Sequence, residues 1–243
     1  MSDPSLLLAL HSSTERFGVA VLDPTVLDPT VLDATVLDPK VGDPSHGHAT
    51  LGPAPLGPTP LGHEPRWAVF EDGRALSNTL LRRVESVLPA PRWSGLQGLA
   101  VATGPGGFTG TRLTVVMART LAQQLGVPLL GVSSFALMAA RLADRLLARP
   151  DAGEGFWITR ELPSRGVVGG FYRVNQGVVE ELEPPHLLQP GRSLGTMVLE
   201  ADDNVEADVI RLLNELQAAL ACGRSCPWQS VLPIYPTSPV GVV

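Results

Sequence analysis

The residues with the clearest chemical potential form a glycine-rich turn, GPGGFTGTR, at positions 104–112. The turn separates an apolar segment typical of a buried strand from a segment with helical periodicity. Backbone N–H groups at the start of a helix can bind an anion or a phosphate. The turn lacks the Lys-Ser/Thr end of a P-loop, and its glycine spacing differs from the dinucleotide-binding fingerprint. Anion binding and close packing of chain segments are therefore both open interpretations of these glycines.

Isolated reactive residues occur at two other places. His11 precedes Ser12 and Ser13, which suggests a general base, but the sequence places no acid to orient the imidazole. Cys222 and Cys226 have the spacing of half a metal or redox site. Because the chain has no further cysteine, they are predicted to be two free thiols.

The charge balance disfavours independent binding to nucleic acid. The 243 residues include 18 basic and 24 acidic side chains, which gives a net charge of −6. Proteins that bind phosphate backbones by themselves usually carry a basic excess or stripe. The apolar content of 44% is that of a globular protein with a buried core.

No apolar run reaches the roughly 18–20 residues that would span a bilayer. The first ten residues, MSDPSLLLAL, carry an acid before a short apolar run, unlike a secretory signal with its basic start. We therefore expect no membrane association and a cytoplasmic protein.

A five-residue repeat dominates the segment 24–65. It includes VLDPT, VLDAT and VLDPK, followed by LGPAP and LGPTP. Prolines remove backbone donors and prevent pairing in a central strand. The pattern predicts a disordered or polyproline-like insertion that forms no ladder. His46, His48 and His63 lie inside it, where solvated histidines are favoured over a metal site.

Outside this insertion, the first half alternates strands and helices. Strands are predicted at 6–10, 17–22, 66–70, 99–103 and 129–132. Helices are predicted from Ser77 to Leu88, capped by Ser77 or Asn78, from Thr111 to Leu125, closed by Gly126, and from Ser134 to Ala148.

The second half shows the same alternation more weakly. Strands are predicted at 156–158 and 166–174, a helix at 206–221 and a final strand at 231–235. Pro233 assigns that last strand to a sheet edge. The adjacent acids Glu180-Glu181 and Asp202-Asp203 are predicted to be solvated. The whole pattern indicates an α/β layered fold.

Two long segments carry a resemblance to a known family. The segment TGPGGFTGTRLTVVMARTLAQQLGVPLLGVSSFALMA and the opening LLLALHSSTERFGVAV resemble the TsaB (YeaZ) family. The resemblance implies an α/β, actin/Hsp70-like fold of two related halves, at 1–128, with the 24–65 insertion, and 129–243. The family motif loop corresponds to Gly104, Pro105, Gly106, Gly107, Phe108, Thr109 and Gly110.

The resemblance also implies a function. Such a protein is expected to be a non-catalytic scaffold subunit of the complex that adds threonylcarbamoyl to N6 of adenosine 37 in tRNAs reading ANN codons. Its expected partners are a TsaD-type catalytic subunit and a TsaE-type ATPase. It would meet tRNA only through the complex, and a homodimer is possible when it is alone.

Comparison with the catalytic paralogues implies that this chain is not an enzyme. Their two metal-binding histidines correspond to Ser134 and Met138, and a hydroxyl and a thioether do not replace two imidazoles. The family's Asp in the first hairpin is His11 here, a poor Mg²⁺ partner. No cofactor is therefore expected on this chain, and ATP and a metal are expected in the partner.

The partner surface is predicted on two helices through which the family assembles. Leu113, Val115, Val116, Met117, Leu121 and Leu125 lie around much of the second helix, so it must be buried on several sides. Either the partner or the protein's own second half covers them. The predicted interface comprises Asn78, Leu81, Arg82, Glu85, Arg112, Val115, Val116 and Arg119.

The alternative is a degenerate actin-like nucleotide-binding ATPase or kinase that uses GPGGFTG as a phosphate loop. Such an enzyme should retain acids at both phosphate-facing hairpins. His11 and a predicted non-acidic turn at Thr159-Arg160 argue against it.

Overall fold

Two β-sheets with helices packed on them form the protein. The structure is a computed structural model that describes residues 6–23, 49–52, 65–143, 146, 155–163, 165–195 and 197–236, with only the backbone described at 49–52. In this part of the chain no helix is long and apolar enough to cross a membrane.

The first sheet has six strands in the order β3-β4-β2-β1-β5-β6. Its strands are β1 Leu6–His11, β2 Phe17–Leu22, β3 Ala49–Gly52, β4 Arg66–Phe70, β5 Leu96–Ala102 and β6 Leu129–Val132. β1 pairs antiparallel with β2 and parallel with β5, and β6 adds parallel to β5.

Helices cover both faces of this sheet, which explains why its strands are continuous apolar runs. The helices are α1 Leu76–Val87, α2 Phe108–Leu125, α3 Ser134–Ala143 and α4 Val205–Ala221. Leu8 and Leu10 of β1 pack in a core with residues of α1 and α2. Leu7 and Ala9 face the opposite core with residues of α4, because successive side chains of a strand alternate between faces.

The second sheet has four strands in the order β10-β7-β8-β9. They are β7 Phe156–Leu162, β8 Gly166–Asn175, β9 Val178–Leu187 and β10 Met197–Glu200. A third core forms where α3 packs on this sheet and includes Phe135, Met138, Phe156 and Tyr172.

The sequence predicts the end of α2 correctly but does not predict the residue that caps α1. Gly126 takes the left-handed conformation after α2, with φ 68°, and confirms the predicted helix end. The predicted caps Ser77 and Asn78 lie inside α1, whose N-cap is Ala75 without a side-chain bond. A three-residue 3₁₀ turn at Gly73–Ala75 leads directly into α1, so no side-chain cap is used there.

The repeat segment needs one correction. Residues 24–48 and 53–64 lie outside the described residues, and the predicted disorder there stays a prediction. Ala49–Gly52, however, pairs antiparallel with β4, so the prediction that no part of 24–65 forms a ladder is wrong. These four residues, ATLG, contain no proline, which leaves their backbone donors available.

Three predictions in the second half were wrong or incomplete. Residues 231–235 form no strand; a single backbone bond joins the Ile234 N–H to the Thr103 carbonyl at 2.8 Å. Thr159 and Arg160 lie within β7 and form no turn. β9 and β10 were not predicted, because acidic residues and a Pro-Pro pair interrupt the apolar pattern of β9.

The predicted division between residues 128 and 129 stays a prediction. β6, which begins at Leu129, is hydrogen-bonded into the first sheet, and α4 also packs on that sheet. Residues from both predicted halves therefore complete the first layered unit.

Candidate functional site

The glycine-rich loop packs its backbone directly against the segment after β1. A Cβ atom on Gly106 would lie 1.8 Å from the Ser13 carbonyl oxygen, and one on Gly110 would lie 3.1 Å from the Ser12 carbonyl oxygen. The Gly107 N–H donates to the Ser13 carbonyl at 3.0 Å. Gly106 is thus required for close backbone approach. Anion binding by the loop stays a prediction.

The loop borders a cleft of about 480 Å³ between the first sheet's edge and the second sheet. The rings of Phe108 and Tyr235 lie 5.1 Å apart on its wall, and each residue is 42% exposed. Arg160 also lines the cleft, forms an ion pair with Asp203 and lies 5.8 Å from the ring of Phe135. The lining of the cleft is therefore largely aromatic and apolar, and Arg160 is already paired.

His11 lies at the end of β1, with no exposed surface. Neither ring nitrogen has a hydrogen-bond partner among the described residues. Burial, together with the charge of Arg160, lowers the pKa of His11 to about 4, so the imidazole is neutral at physiological pH. A neutral, fully enclosed ring without an orienting acid does not form a general-base site.

The serines next to His11 are used in structural hydrogen bonds. The hydroxyls of Ser12 and Thr114 lie 2.6 Å apart. Ser13 accepts a hydrogen bond from the hydroxyl of Ser134 at 2.5 Å. Both serines are buried. Their bonds join the first hairpin to α2 and to α3.

Ser134 and Met138, at the positions of the paralogues' metal-binding histidines, both lie in the interior. Ser134 is the first residue of α3, and Met138 is part of the third core. Among the described residues, no three His, Cys, Asp or Glu side chains lie close enough together to hold a metal ion.

The predicted partner residues lie on α1 and α2, two helices that pack against each other. Leu81 is 54% exposed and Val116 is 53% exposed. Asn78, Arg82 and Arg112 are exposed, whereas Glu85 and Arg119 are half-buried. We call the exposed residues Asn78, Leu81, Arg82, Arg112 and Val116 the α1–α2 surface.

Val115 was wrongly assigned to that surface. It has no exposed area and lies in the core between α2 and the first sheet. The same core accounts for the apolar circumference of α2, because Leu113, Met117, Leu121 and Leu125 all pack against it. The first sheet and α1 therefore cover most of the apolar residues of this helix, and the exceptions are Phe108, on the cleft, and Val116.

The adjacent acids were predicted to be solvated, and Glu180, Glu181 and Asp203 are indeed exposed, whereas Asp202 is half-buried. Each of the four also has a specific partner. Glu181 accepts hydrogen bonds from Ser133 and Tyr172. Asp202 pairs with Arg141, which also reaches the buried Asp208 at 3.4 Å. Ser133 and Glu181 lie 48 positions apart and Arg141 and Asp202 lie 61 apart, so local periodicity does not reveal these contacts. Tyr172 reaches Glu181 across the β8–β9 pair.

Asp208 is a second buried titratable group that sequence reasoning missed. Its exposure is 1%, and within the part of the chain that the structure describes its Oδ2 atom has no hydrogen-bond partner. Burial raises the pKa of Asp208 to about 7 against the opposing effect of Arg141. A polar residue on the apolar face of α4 was the available sequence signal.

Comparison with known proteins gives matches in sequence. A family model described as TsaD, tRNA N6-adenosine threonylcarbamoyltransferase, matches residues 73–155. A protein of Bacillus subtilis named tRNA threonylcarbamoyladenosine biosynthesis protein TsaB is 36% identical over 92 residues, which are 37% of this chain and 36% of that protein. A protein of Escherichia coli with the same name is 32% identical over 106 residues, or 40% of this chain and 46% of that protein. The match thus spans less than half the length of either relative.

Solved structures match over nearly the whole chain. YeaZ from Pseudomonas aeruginosa is 20% identical and superposes with a TM-score of 0.57, covering 95% of this chain and 99% of that one. A crystal structure of an uncharacterized protein with similarity to peptidase YeaZ from Pseudomonas aeruginosa is 21% identical, with a TM-score of 0.59, covering 96% of this chain and 100% of that one. At this identity the likeness concerns the fold alone.

Proposed function

We propose that the chain is a member of the TsaB (YeaZ) family, which its partial sequence matches support, and that it is a non-catalytic subunit in the biosynthesis of threonylcarbamoyladenosine on tRNA. Its fold is the actin/Hsp70-like α/β fold predicted from the sequence. In this proposal it binds and supports a TsaD-type catalytic subunit that modifies N6 of adenosine 37 in tRNAs reading ANN codons. The complex includes a TsaE-type ATPase and acts in the cytoplasm.

The observation that carries the proposal is the α1–α2 surface. Leu81 and Val116 are more than half exposed on two helices whose other apolar residues are at least partly buried. Arg82 and Arg112 lie exposed on the same helices. Apolar residues together with arginine are typical of protein–protein interfaces. A partner with an apolar patch flanked by acids would fit this surface.

Two features support a non-catalytic role. His11 is buried, neutral and without an orienting acid. Ser134 and Met138 are committed to a hydrogen bond and to core packing. In this proposal the ATP and the metal bind to the partner proteins. The net charge of −6 favours contact with tRNA through the complex.

The test compares the same substitution on two surfaces. Val116→Asp places a charge on the exposed part of α2, where an interface would bury it without a partner. Val178→Asp is the matched control, because Val178 is 69% exposed in the second sheet. We expect Val116→Asp to weaken co-purification with the TsaD-type subunit by about tenfold or more, and Val178→Asp to leave it unchanged.

Both variants should keep the melting temperature of the wild-type chain, since both positions are exposed. If Val116→Asp and Leu81→Asp each retain full binding, the partner docks elsewhere and the proposed surface is wrong.

A nucleotide-binding ATPase or kinase is the second candidate, and the cleft of about 480 Å³ beside the glycine-rich loop favours it. The two candidates differ in what the purified chain does alone. The scaffold requires a partner for any modified adenosine to form, whereas the ATPase turns over ATP by itself.

A further inference from the structure

A second cavity, of about 300 Å³, lies beside β6. Polar groups make up most of the surface of this cavity, unlike the largely apolar cleft beside the glycine-rich loop. Its polar lining includes Ser133, Glu181, Arg224, Ser225 and Ser230. These residues come from the start of α3, from β9 and from the segment that follows α4. A volume of this size is at the lower end of the range for small-molecule sites.

Glu181 is held in a fixed orientation by two buried residues. Its Oε2 atom accepts a hydrogen bond from the Ser133 hydroxyl at 2.8 Å and one from the Tyr172 hydroxyl at 3.1 Å. Ser133 is itself fixed, because its Oγ accepts from the Ala136 N–H at 3.0 Å at the start of α3. Burial and the nearby Glu181 charge raise the pKa of Tyr172, which keeps its hydroxyl a donor.

The second carboxylate oxygen of Glu181 is available for another partner. In the part of the chain that the structure describes, Oε1 of Glu181 accepts no hydrogen bond. A carboxylate that is oriented through one oxygen and open at the other is suited to a cationic donor such as an ammonium group.

Arg224 contributes the opposite charge to the same cavity. The turn after α4 fixes its backbone: Gly223 has φ 69°, and the Arg224 N–H donates to the Ala219 carbonyl at 2.9 Å. Its guanidinium has no ion-pair partner among the described residues. Arginine presents paired N–H donors that match a carboxylate.

We propose that this cavity binds a small zwitterion of the amino-acid type, with its ammonium group on Glu181 and its carboxylate on Arg224. The site is additional to the partner surface proposed above and does not depend on it. A single ligand of this kind pairs with both the Glu181 carboxylate and the Arg224 guanidinium, which line the same small cavity.

Titration calorimetry with three isosteric probes tests the proposal. L-Serine carries both charges, serinamide lacks the carboxylate, and glycerate has a hydroxyl in place of the ammonium group. We expect serine to bind, and each analogue to bind at least about tenfold more weakly, because each leaves one charged protein group unpaired.

Two variants test which protein residue binds which charged group of the ligand. Glu181→Gln should abolish the preference for serine over glycerate, and Arg224→Ala should abolish the preference for serine over serinamide. Glu180→Gln is the matched control, because this neighbouring acid pairs with Arg173 on the outside of the sheet and should leave serine affinity within about twofold.

Absence of saturable serine binding to the wild-type chain would overturn the proposal. So would binding of glycerate as tight as that of serine, which indicates a simple anion site, or preferences that both variants retain. Since Glu181 also bonds to Tyr172, melting curves accompany each variant. If Glu181→Gln is unfolded, Arg224→Ala, on an exposed turn, decides the outcome alone.

Discussion

Two buried titratable residues give the protein opposite responses to pH. His11 has a folded pKa of about 4 against 6.5 in a free side chain, and Asp208 has one of about 7 against 3.8. The folded state thus disfavours the proton on His11 and favours it on Asp208. The titration of His11 therefore makes the free energy of unfolding rise with pH, whereas the titration of Asp208 makes it fall with pH.

The first prediction concerns His11. Because its folded pKa is depressed, the unfolded chain takes up the proton first as the pH falls from 6.5 towards 4, and stability is lost. His11→Met removes this loss and the two unpartnered ring nitrogens. The advantage of the variant over wild type in free energy of unfolding should grow by about 2 kcal/mol from pH 7 to pH 5.

Urea unfolding at the two pH values measures this difference. His186→Gln, at a half-exposed histidine of β9, is the matched histidine substitution measured beside it. A constant difference between His11→Met and wild type would mean that His11 is not a buried neutral imidazole.

The second prediction concerns Asp208. Because its folded pKa is raised, the contribution to stability is present below pH 3.8 and is lost as the pH rises through about 7. Asp208→Asn keeps an oxygen for Arg141 and cannot ionise. The difference in free energy of unfolding between this variant and wild type should increase in favour of the variant by about 2 kcal/mol from pH 5 to pH 7. This trend is opposite to that of His11→Met.

The same unfolding experiment measures this variant, with exposed Glu161→Gln as its control. An Asp208→Asn variant that loses stability equally at both pH values would show that the charged pair with Arg141 stabilises the fold.

At the scale of elements, the glycine-rich loop joins β5, α2 and the first hairpin through backbone contacts. The Ser134 N–H donates to the Gly104 carbonyl at 2.7 Å, and the Gly107 N–H donates to Ser13. The loop therefore fixes the relative position of α2, α3 and the turn after β1. Its glycines matter for the fold whether or not the loop also binds an anion.

The third prediction compares two neighbouring glycines of this loop. A Cβ on Gly106 would meet backbone atoms of Ser13, at 1.8 Å from the nearest, whereas a Cβ on Gly107 meets only the Thr14 oxygen at 3.5 Å. Gly106→Ala should lower the free energy of unfolding by about 2 kcal/mol or more. Gly107→Ala should change it by less than about 1 kcal/mol.

Chemical denaturation of both variants tests the loop geometry. Equal stability of the two would mean that Gly106 does not approach Ser13 in the way described.

For the whole molecule, ion pairs connect α4 and the linker before it to distant parts of the chain. Arg141 of α3 pairs with Asp202, Arg160 of β7 pairs with Asp203, and Arg16 of the first hairpin pairs with Glu206. The pair of Arg160 and Asp203 lies on the wall of the cleft beside the glycine-rich loop. These ion pairs therefore connect α4 and the segment before it to α3, to the second sheet and to the first hairpin.

The fourth prediction follows for the purified chain. Without its partner it should turn over no ATP above the rate in buffer, because the position of the family's Asp holds a buried neutral imidazole. The same assay with the TsaD-type and TsaE-type proteins added is the positive control. Turnover that survives repurification and disappears in His11→Ala would refute the scaffold function and favour the ATPase.

The sequence by itself determined the elements whose signal is local. Continuous apolar runs predicted β1, β2 and β6 with errors of at most one residue, since strands covered on both faces have no polar side. Gly126 marked the end of α2 because only a left-handed residue closes a helix in that way. The long motif around the glycine-rich loop carried the resemblance to the TsaB (YeaZ) family.

Only the tertiary structure decided which of those residues are accessible and what they contact. Val115 and Val116 are neighbours with equal apolarity, yet one is fully buried and the other is 53% exposed. Glu181 accepts a hydrogen bond from Ser133, which lies 48 positions away in the chain, and His11 has no exposed surface. Periodicity encodes the geometry of one element, whereas burial, pairing and pKa depend on the elements that pack against it from distant parts of the chain.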